Sequence, residues 1–573
     1  MPRIEVNGNT IEARQGDTLL DALRRAGIQV PTLCHYEGLP PTGTCRLCVV
    51  EVAGLPNLVP ACSYPVGEGL KVQTHSARAV GARKTIVELL LSNHPDDCLY
   101  CARHGNCRLQ DLSEELGVRA RRLPGTRRHL PRDVSSPAIV RDPDKCVLCG
   151  RCVRACQEVQ GVAAIDITGR GSGARVDTAF GEGLNVSSCV NCGQCVLVCP
   201  TGALTERSHL DQVEAALRDP SLTAVVQVAP AVSVSLAELF GEKPGRDVDG
   251  ALNALLRRLG FARVFDTGFA ADLTIMEEAS ELVQRLQGGG PLPMFTSCSP
   301  GWVKFVETFY PGIIPNLSTC KSPQQMLGAV VKTHFAAGAG LDPARVFSVA
   351  IMPCTAKKFE AGREEMLEGK LPDVDAVLTT RELAELVRRR GLRLGDHDPE
   401  PADMPFGRRS GAGKLFGASG GVMEAAIRTA HHLVTGRELA DLKVEAVRGL
   451  DGVREARVRI GDLELGVAVV SGLGNARRLL AEITAGRRDL HFVEVMSCPG
   501  GCVNGGGQPI GVDGAAVAAR MQALLRIDAA ETIRTAHGNP AVRQLYAEFL
   551  GQPLGERSHE LLHTGYDPRE GLR

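Results

Sequence analysis

The order of apolar and polar positions gives the chain two textures. Near the start, "RIEVNGNTIEA" reads as a hairpin turning at Asn7-Gly8. "GDTLLDALRRAG" reads as a short helix, with Asp17 or Thr18 as cap and Gly27 as stop. After residue 221 the pattern becomes α/β. The runs "TAVVQVA", "VFSVAIMP" and "LGVAVVSG" predict buried parallel strands with helical segments between them. Glycine-rich loops follow several strands, at Gly417–Gly421 and Gly500–Pro509, and open α/β sheets place ligands beyond the carboxyl ends of their strands. The most apolar window, "SLTAVVQVAPAVSVSLAELF", is broken by Gln227, Pro230 and serines. It reads as strand, turn and helix start, because a membrane span needs about 20 mostly apolar residues. Between the textures, "RARRLPGTRRHLPRD" reads as a solvated connector.

A length of 573 residues implies several domains. With 65 Lys+Arg against 66 Asp+Glu, nothing in the charge argues for nucleic acid or an anionic membrane as partner. "MPRIEVNGNT" has neither a basic n-region nor an apolar h-region, so a cytoplasmic location is expected. Twenty cysteines then point to metal or redox chemistry rather than disulfides.

Fifteen of the twenty precede residue 200. Cys34, Cys45, Cys48 and Cys62 lie in β-rich surroundings, and their wide spacing favours a [2Fe–2S] centre over zinc. "HPDDCLYCARHGNC" offers His94, Cys98, Cys101 and Cys107, which beside other clusters favours a [4Fe–4S] centre with one imidazole ligand over a zinc site. His104 is the competing nitrogen and ranks below His94. "CVLCGRCVRAC" and "CVNCGQCVLVCP" are two copies of the two-cluster ferredoxin signature, in which the fourth cysteine of each run serves the other cluster. Cys146, Cys149, Cys152 and Cys199 should hold one cubane, and Cys189, Cys192, Cys195 and Cys156 the other. Residues 1–205 thus read as a chain of one-electron carriers. "GRGSG", at Gly169–Gly173, reads as a loop between the ferredoxin halves rather than a dinucleotide fingerprint.

Five cysteines remain: Cys298, Cys320, Cys354, Cys498 and Cys502. Three end strand-like runs ("MFTSC", "IMPC", "EVMSC"), so they can converge on one site. "FTSCSPGW", "MPCTAKKFE" and "EVMSCPGGCVNGGGQP" resemble the three signature segments of the [FeFe]-hydrogenases. The N-terminal cluster order resembles the long form of that family, and "RSHELLHTGY" resembles its tail.

The resemblance implies a multidomain α/β chain. Its parts would be a β-grasp [2Fe–2S] ferredoxin-like domain (1–77), a [4Fe–4S] domain with one histidine and three cysteine ligands (78–118), a linker (119–137), a two-[4Fe–4S] ferredoxin domain (138–208) and a catalytic domain with a small-subunit-like tail (221–573). The catalytic domain would hold the H-cluster, a [4Fe–4S] cubane bridged to a diiron centre carrying CO, CN⁻ and a dithiolate, where H₂ is split or formed. Cys354, Cys498 and Cys502 match cubane ligands. Lys357 matches the residue that bonds a cyanide. Ala229, Pro230, Pro323, Gln324, Met352, Phe416 and Met496 match pocket residues. Cys298, Glu278, Ser318 and Glu281, with Arg285 near the exit, match the proton relay. Glu278 and Glu281 share a helix face at i, i+3.

The sequence departs from the family where its segment reads T-S-C-C-P: the second cysteine, a cubane ligand, is Ser299 here. Cys320, close to Pro323, is expected to replace it, with Ser299 or Cys298 as alternatives. The expected partners are a flavoprotein NAD(P)-binding subunit, a small [2Fe–2S] subunit and ferredoxin. The rival readings are a non-catalytic iron–sulfur assembly or H₂-sensing protein and an electron-transfer subunit like that of respiratory complex I.

Overall fold

A computed structural model describes residues 1–127, 129–367 and 371–571. Strands Arg3–Val6 and Asn9–Glu12 pair antiparallel through Asn7 and Gly8, both at positive φ (51° and 85°), as a two-residue hairpin turn requires. They join a five-stranded sheet. Helix Leu19–Arg25 is capped by Thr18 in a reciprocal box with Asp21, while Asp17 pairs with Arg25 instead. Its Leu19, Leu20 and Leu23 pack on Val50 and Val72. Helices Ala77–Asn93 and Arg108–Glu115 flank the segment that carries His94, Cys98, Cys101 and Cys107.

The arginine-rich connector is exposed, as expected, and is tethered by ion pairs. Arg121 and Arg127 both reach Asp96, and Arg122 pairs with the buried Glu88 at 2.5 Å. At Gly125 the chain passes so close that a Cβ would lie 2.2 Å from the Ser92 carbonyl oxygen. Beyond it, strands Ile139–Arg141 and Leu204–Glu206 pair antiparallel, and "GRGSG" forms the turn between strands Asp166–Thr168 and Arg175–Asp177. The two-cluster segment does not keep its own core: Val190 and Val196 share one with Trp302, Phe305, Val470 and Val493.

The C-terminal part holds two four-stranded sheets. In the first, Arg263–Asp266, Thr223–Val228, Val346–Met352 and Ala376–Thr379 are all parallel. The second runs Met294–Phe295, Phe492–Met496, Leu463–Ser471 and Val453–Ile460, and only its last pairing is antiparallel. "LGVAVVSG" therefore lies in a different sheet from the other two apolar runs. The long helices Thr267–Gly288 and Gly421–Thr435 pack together beside them. Tyr546, Leu550 and Leu562 of the tail bury against Phe269 and Met326. Among the described residues, no helix is long and apolar enough to cross a membrane.

Candidate active site

Four parallel strands, two from each sheet, end at one largely apolar cavity of about 80 Å³. Thr223–Val228 leads into Ala229 and Pro230, and Val346–Met352 into Cys354. Met294–Phe295 leads into Cys298 and Ser299, and Phe492–Met496 into Cys498. Cys502 arrives on the glycine loop, which needs its glycines: Gly501 sits at φ 92°, where a Cβ would meet Ser419 N at 2.5 Å. Pro323, Gln324, Met352, Lys357, Phe416 and Met496 complete the wall, so every expected pocket residue lines it.

The donor set suits a cationic cluster. Burial, then the neighbouring Cys354, pushes the Cys502 thiol up to about 12. Burial also raises Cys354 and Cys498, and Lys357 pulls Cys354 back. Three thiols packed dry against one another are poor neighbours as free groups, and metal ions turn that crowding into ligation. Lys357 Nζ donates to the Cys298 carbonyl (3.1 Å) and to Glu360 Oε2 (2.8 Å). Glu360 also accepts from Ser322 (2.8 Å) and Gln324 Nε2 (3.2 Å), and Gln324 Oε1 is left buried without a partner at the cavity. Sequence reasoning missed Glu360, although its i, i+3 spacing from Lys357 was a signal.

Cys298 and the two helix glutamates form a buried file. Burial first, and the Glu278 carboxyl second, push the Cys298 thiol up. Glu278 is 0% exposed, and neither carboxyl oxygen has a hydrogen-bond partner. Burial, then Glu281, raises its pKa from 4.5 to about 8; the Ser297 amide and Ser318 hydroxyl pull the other way without reaching good hydrogen-bonding geometry. Ser318 Oγ donates to Glu281 Oε2 at 2.8 Å, and Arg285 meets Glu281 Oε1 at 2.6 Å. Arg285 also donates to the carbonyls of Pro315, Asn316 and Leu317 near the surface.

Cys320 does not join the cavity, contrary to the sequence expectation. Its backbone bridges to His563 of the tail, and its side chain packs in a separate core with Phe269 and Met326. Its Sγ lies 4.0 Å from Glu281 Oε2, so the thiol flanks the carboxyl file instead of the three clustered thiols. Ser299 lines the cavity.

The accessory cysteines gather in the expected sets. Cys34 lies against Cys45, and Cys48 against Cys62. Cys98, Cys101 and Cys107 line one hollow with His94, not His104. His94 Nδ1 donates to the Pro95 carbonyl (3.0 Å), which leaves buried Nε2 with its lone pair free and no protein partner, the tautomer a metal ligand needs. Cys146, Cys149, Cys152 and Cys199 line another hollow. Burial first, and then Cys156 and Cys189 beside them, raise the Cys192 and Cys195 thiols, so these four lie together. The last group abuts the cavity. Thr355 Oγ1 donates to Asn191 O (2.7 Å), Gln194 Nε2 donates to Asn504 O (3.1 Å), and a Cβ on Gly506 would meet Cys192 O at 2.4 Å.

Known proteins share this plan. Residues 223–506 match "Iron only hydrogenase large subunit, C-terminal domain", and residues 515–569 match "Iron hydrogenase small subunit". Residues 2–77 match a 2Fe-2S iron-sulfur cluster binding domain. Residues 83–122 match the NADH-ubiquinone oxidoreductase-G iron-sulfur binding region, and 136–205 the NADH-quinone oxidoreductase subunit 3, ferredoxin-like domain. The chain is 47% identical to the NADP-reducing hydrogenase subunit HndD of Solidesulfovibrio fructosivorans, over 100% of both chains. It is 39% identical to Iron hydrogenase 1 of Clostridium pasteurianum, over 99% of this chain and 100% of that one. It is 33% identical to the Cytosolic iron-sulfur assembly component 3 of Rattus norvegicus, over 68% of this chain and 85% of that one. A variant of the apo [FeFe]-hydrogenase HydA1 from Chlamydomonas reinhardtii superimposes with a TM-score of 0.58 at 44% identity, covering 64% of this chain and all of that one. With its thiol-lined cavity, buried carboxyl file and preceding iron–sulfur domains, the chain belongs to the [FeFe]-hydrogenase family and is an enzyme of hydrogen metabolism.

Proposed function

We propose that this chain is the H₂-converting subunit of a cytoplasmic hetero-oligomer that exchanges electrons with NADP(H) through a flavoprotein partner. Its cofactors would be one [2Fe–2S] centre, three accessory [4Fe–4S] centres and an H-cluster. When bound, the H-cluster supplies the iron site for H₂ and the accessory centres supply one-electron carriers.

The chain's own residues do the rest. Cys354, Cys498 and Cys502 would hold the cubane. Ala229, Pro230, Met352, Phe416 and Met496 exclude water. Lys357, fixed by Glu360, presents an ammonium to an anionic ligand. Cys298 Sγ exchanges protons with Glu278, which passes them by way of Ser318 to Glu281, and Arg285 holds Glu281 at the outer end. A carboxyl with a pKa of about 8 and no fixed partner can both give and take a proton near neutrality.

The observation that carries the reading is this carboxyl file, which starts at Cys298 in the wall of the thiol-lined cavity. An assembly protein with no turnover has no use for such a file. Full-length similarity to a subunit of an NADP-reducing hydrogenase supports the partner assignment.

The test is H₂-dependent reduction of NADP⁺, NAD⁺ and a viologen by the isolated matured chain and by the native complex. The isolated chain should reduce only the viologen, and the complex should also reduce NADP⁺. Full-rate NADP⁺ reduction by the isolated chain would refute the need for a flavoprotein partner.

A further inference from the structure

Resting on the reading that the cavity holds a cubane, we infer that Ser299 Oγ is the fourth ligand of that cubane. This would make it a [4Fe–4S] centre held by three thiolates and one serine oxygen. A cubane has four irons, each needing a terminal ligand. The cavity wall offers Cys354, Cys498 and Cys502 as a mutually close set. The wall also carries the hydroxyls of Ser497 and Thr267, and the adjacent pair Cys298 and Ser299.

Their orientation separates them. Ser299 has extended backbone (φ −102°, ψ 101°), and along extended chain successive side chains point to opposite sides. Cys298 faces the Glu278 carboxyl. Ser299 turns the other way, toward the strand end that carries Cys498. Its Oγ lies 2.8 Å from Ser497 Oγ and accepts from Ser497 N–H at 3.3 Å.

The same serine precedes helix Pro300–Phe309 at the N-cap, where a serine hydroxyl ordinarily accepts a hydrogen bond from the first turn. Ser299 makes no such bond, so its oxygen is withheld from the helix it begins and engages Ser497, the residue before Cys498. Cys320 is remote from this wall and faces Glu281. In forming the Fe–O bond, the hydroxyl proton leaves to solvent and no electron is transferred. An alkoxide is a harder donor than a thiolate and favours the more oxidised cluster, so this cubane should have a lower potential than its Ser299→Cys counterpart.

The test uses the full chain produced without diiron insertion, as wild type, Ser299→Ala, Ser299→Cys and Cys298→Ala. Iron analysis is combined with EPR-monitored redox titration, and the accessory-centre signals serve as the check on folding. Wild type should carry about 18 iron atoms per chain. Ser299→Ala should lose one iron to give a three-iron signal, or keep four with a shifted potential. Ser299→Cys should keep four at a higher potential, and Cys298→Ala should keep four unchanged. Ser299→Ala with a full iron count and wild-type potential would overturn the ligand assignment, as would iron loss in Cys298→Ala. Wild type stopping at the accessory complement of about 14 iron atoms would overturn the cubane reading itself.

Discussion

Replacing Glu278 by Gln should remove a distinctive pH dependence of stability while it destroys turnover. The unfolded chain ionises this carboxyl at about 4.5, and the fold holds it neutral to about 8. Between those values the unfolded state binds fewer protons than the folded one, so stability falls as pH rises. The contribution is complete below pH 4.5 and lost as pH passes through 8. The slope is about 1.4 kcal/mol per pH unit, so from pH 5.5 to 7.5 the wild type loses on the order of 3 kcal/mol that the glutamine variant keeps. Glutamine brings its own buried amide, at a cost of about 1–3 kcal/mol, but that cost does not vary with pH. The diagnostic quantity is therefore the change in the difference between the two proteins, not its sign at one pH. Anaerobic calorimetry of the catalytic-domain transition at both pH values reads it as a relative shift of about 5 °C. A constant offset across that range would show that Glu278 titrates normally and would refute the buried-neutral reading. A variant that kept wild-type H₂ evolution would remove Glu278 from the proton route.

Gly506→Ala should press a methyl onto the Cys192 carbonyl, where only 2.4 Å is available, and part the ferredoxin loop from the cavity. H₂-driven viologen reduction should fall at least tenfold while isotope exchange between D₂ and water, which needs no long-range electron transfer, stays near wild type; equal losses in both would show general damage. Arg103→Gln should lower the potentials of the histidine-ligated centre and the adjoining cubane in an EPR titration. Arg103 is 7% exposed, Nη1 has no protein partner, and its charge faces Cys199 and Cys107. Unchanged potentials would show that the guanidinium is not felt by either centre.

Metal ligation was the most legible feature of the sequence, because each accessory centre draws most of its donors from one short segment and stamps that segment with fixed spacings. The placement of His94 rather than His104 in the hollow with the three cysteines was also readable. The catalytic thiols were legible only as strand ends, and it took two sheets rather than one to bring them together. The carboxyl file was least legible from composition. Glu278, Glu281 and Ser318 are residue types found on any solvated helix or loop, and their burial comes from the packing of helix Thr267–Gly288 under two distant segments. Cys320 misled for the opposite reason. Its nearness to Pro323 in sequence suggested nearness to the cavity, but the chain from Thr319 to Lys321 pairs with the C-terminal tail, a partner more than 240 residues away.

Under the proposed function, the dipeptide Cys298-Ser299 lets one cavity serve protons and electrons without mixing them. Extended backbone sends Cys298 toward the carboxyl file and Ser299 toward Ser497 and Cys498, so two adjacent residues face two different routes. The proton side continues along one face of a single helix to Arg285. The electron side continues through Cys354 and Cys498 to Cys192. Inserting or deleting one residue here would reverse both side chains, as a register slip does in any strand. The turn into helix Pro300–Phe309 guards against that slip. Pro300 fixes φ at the first helical position, and Trp302 is fully buried with its indole N–H bonded to the Thr296 carbonyl at 3.1 Å. The chain's only tryptophan thus pins the register of the dipeptide from which both routes depart.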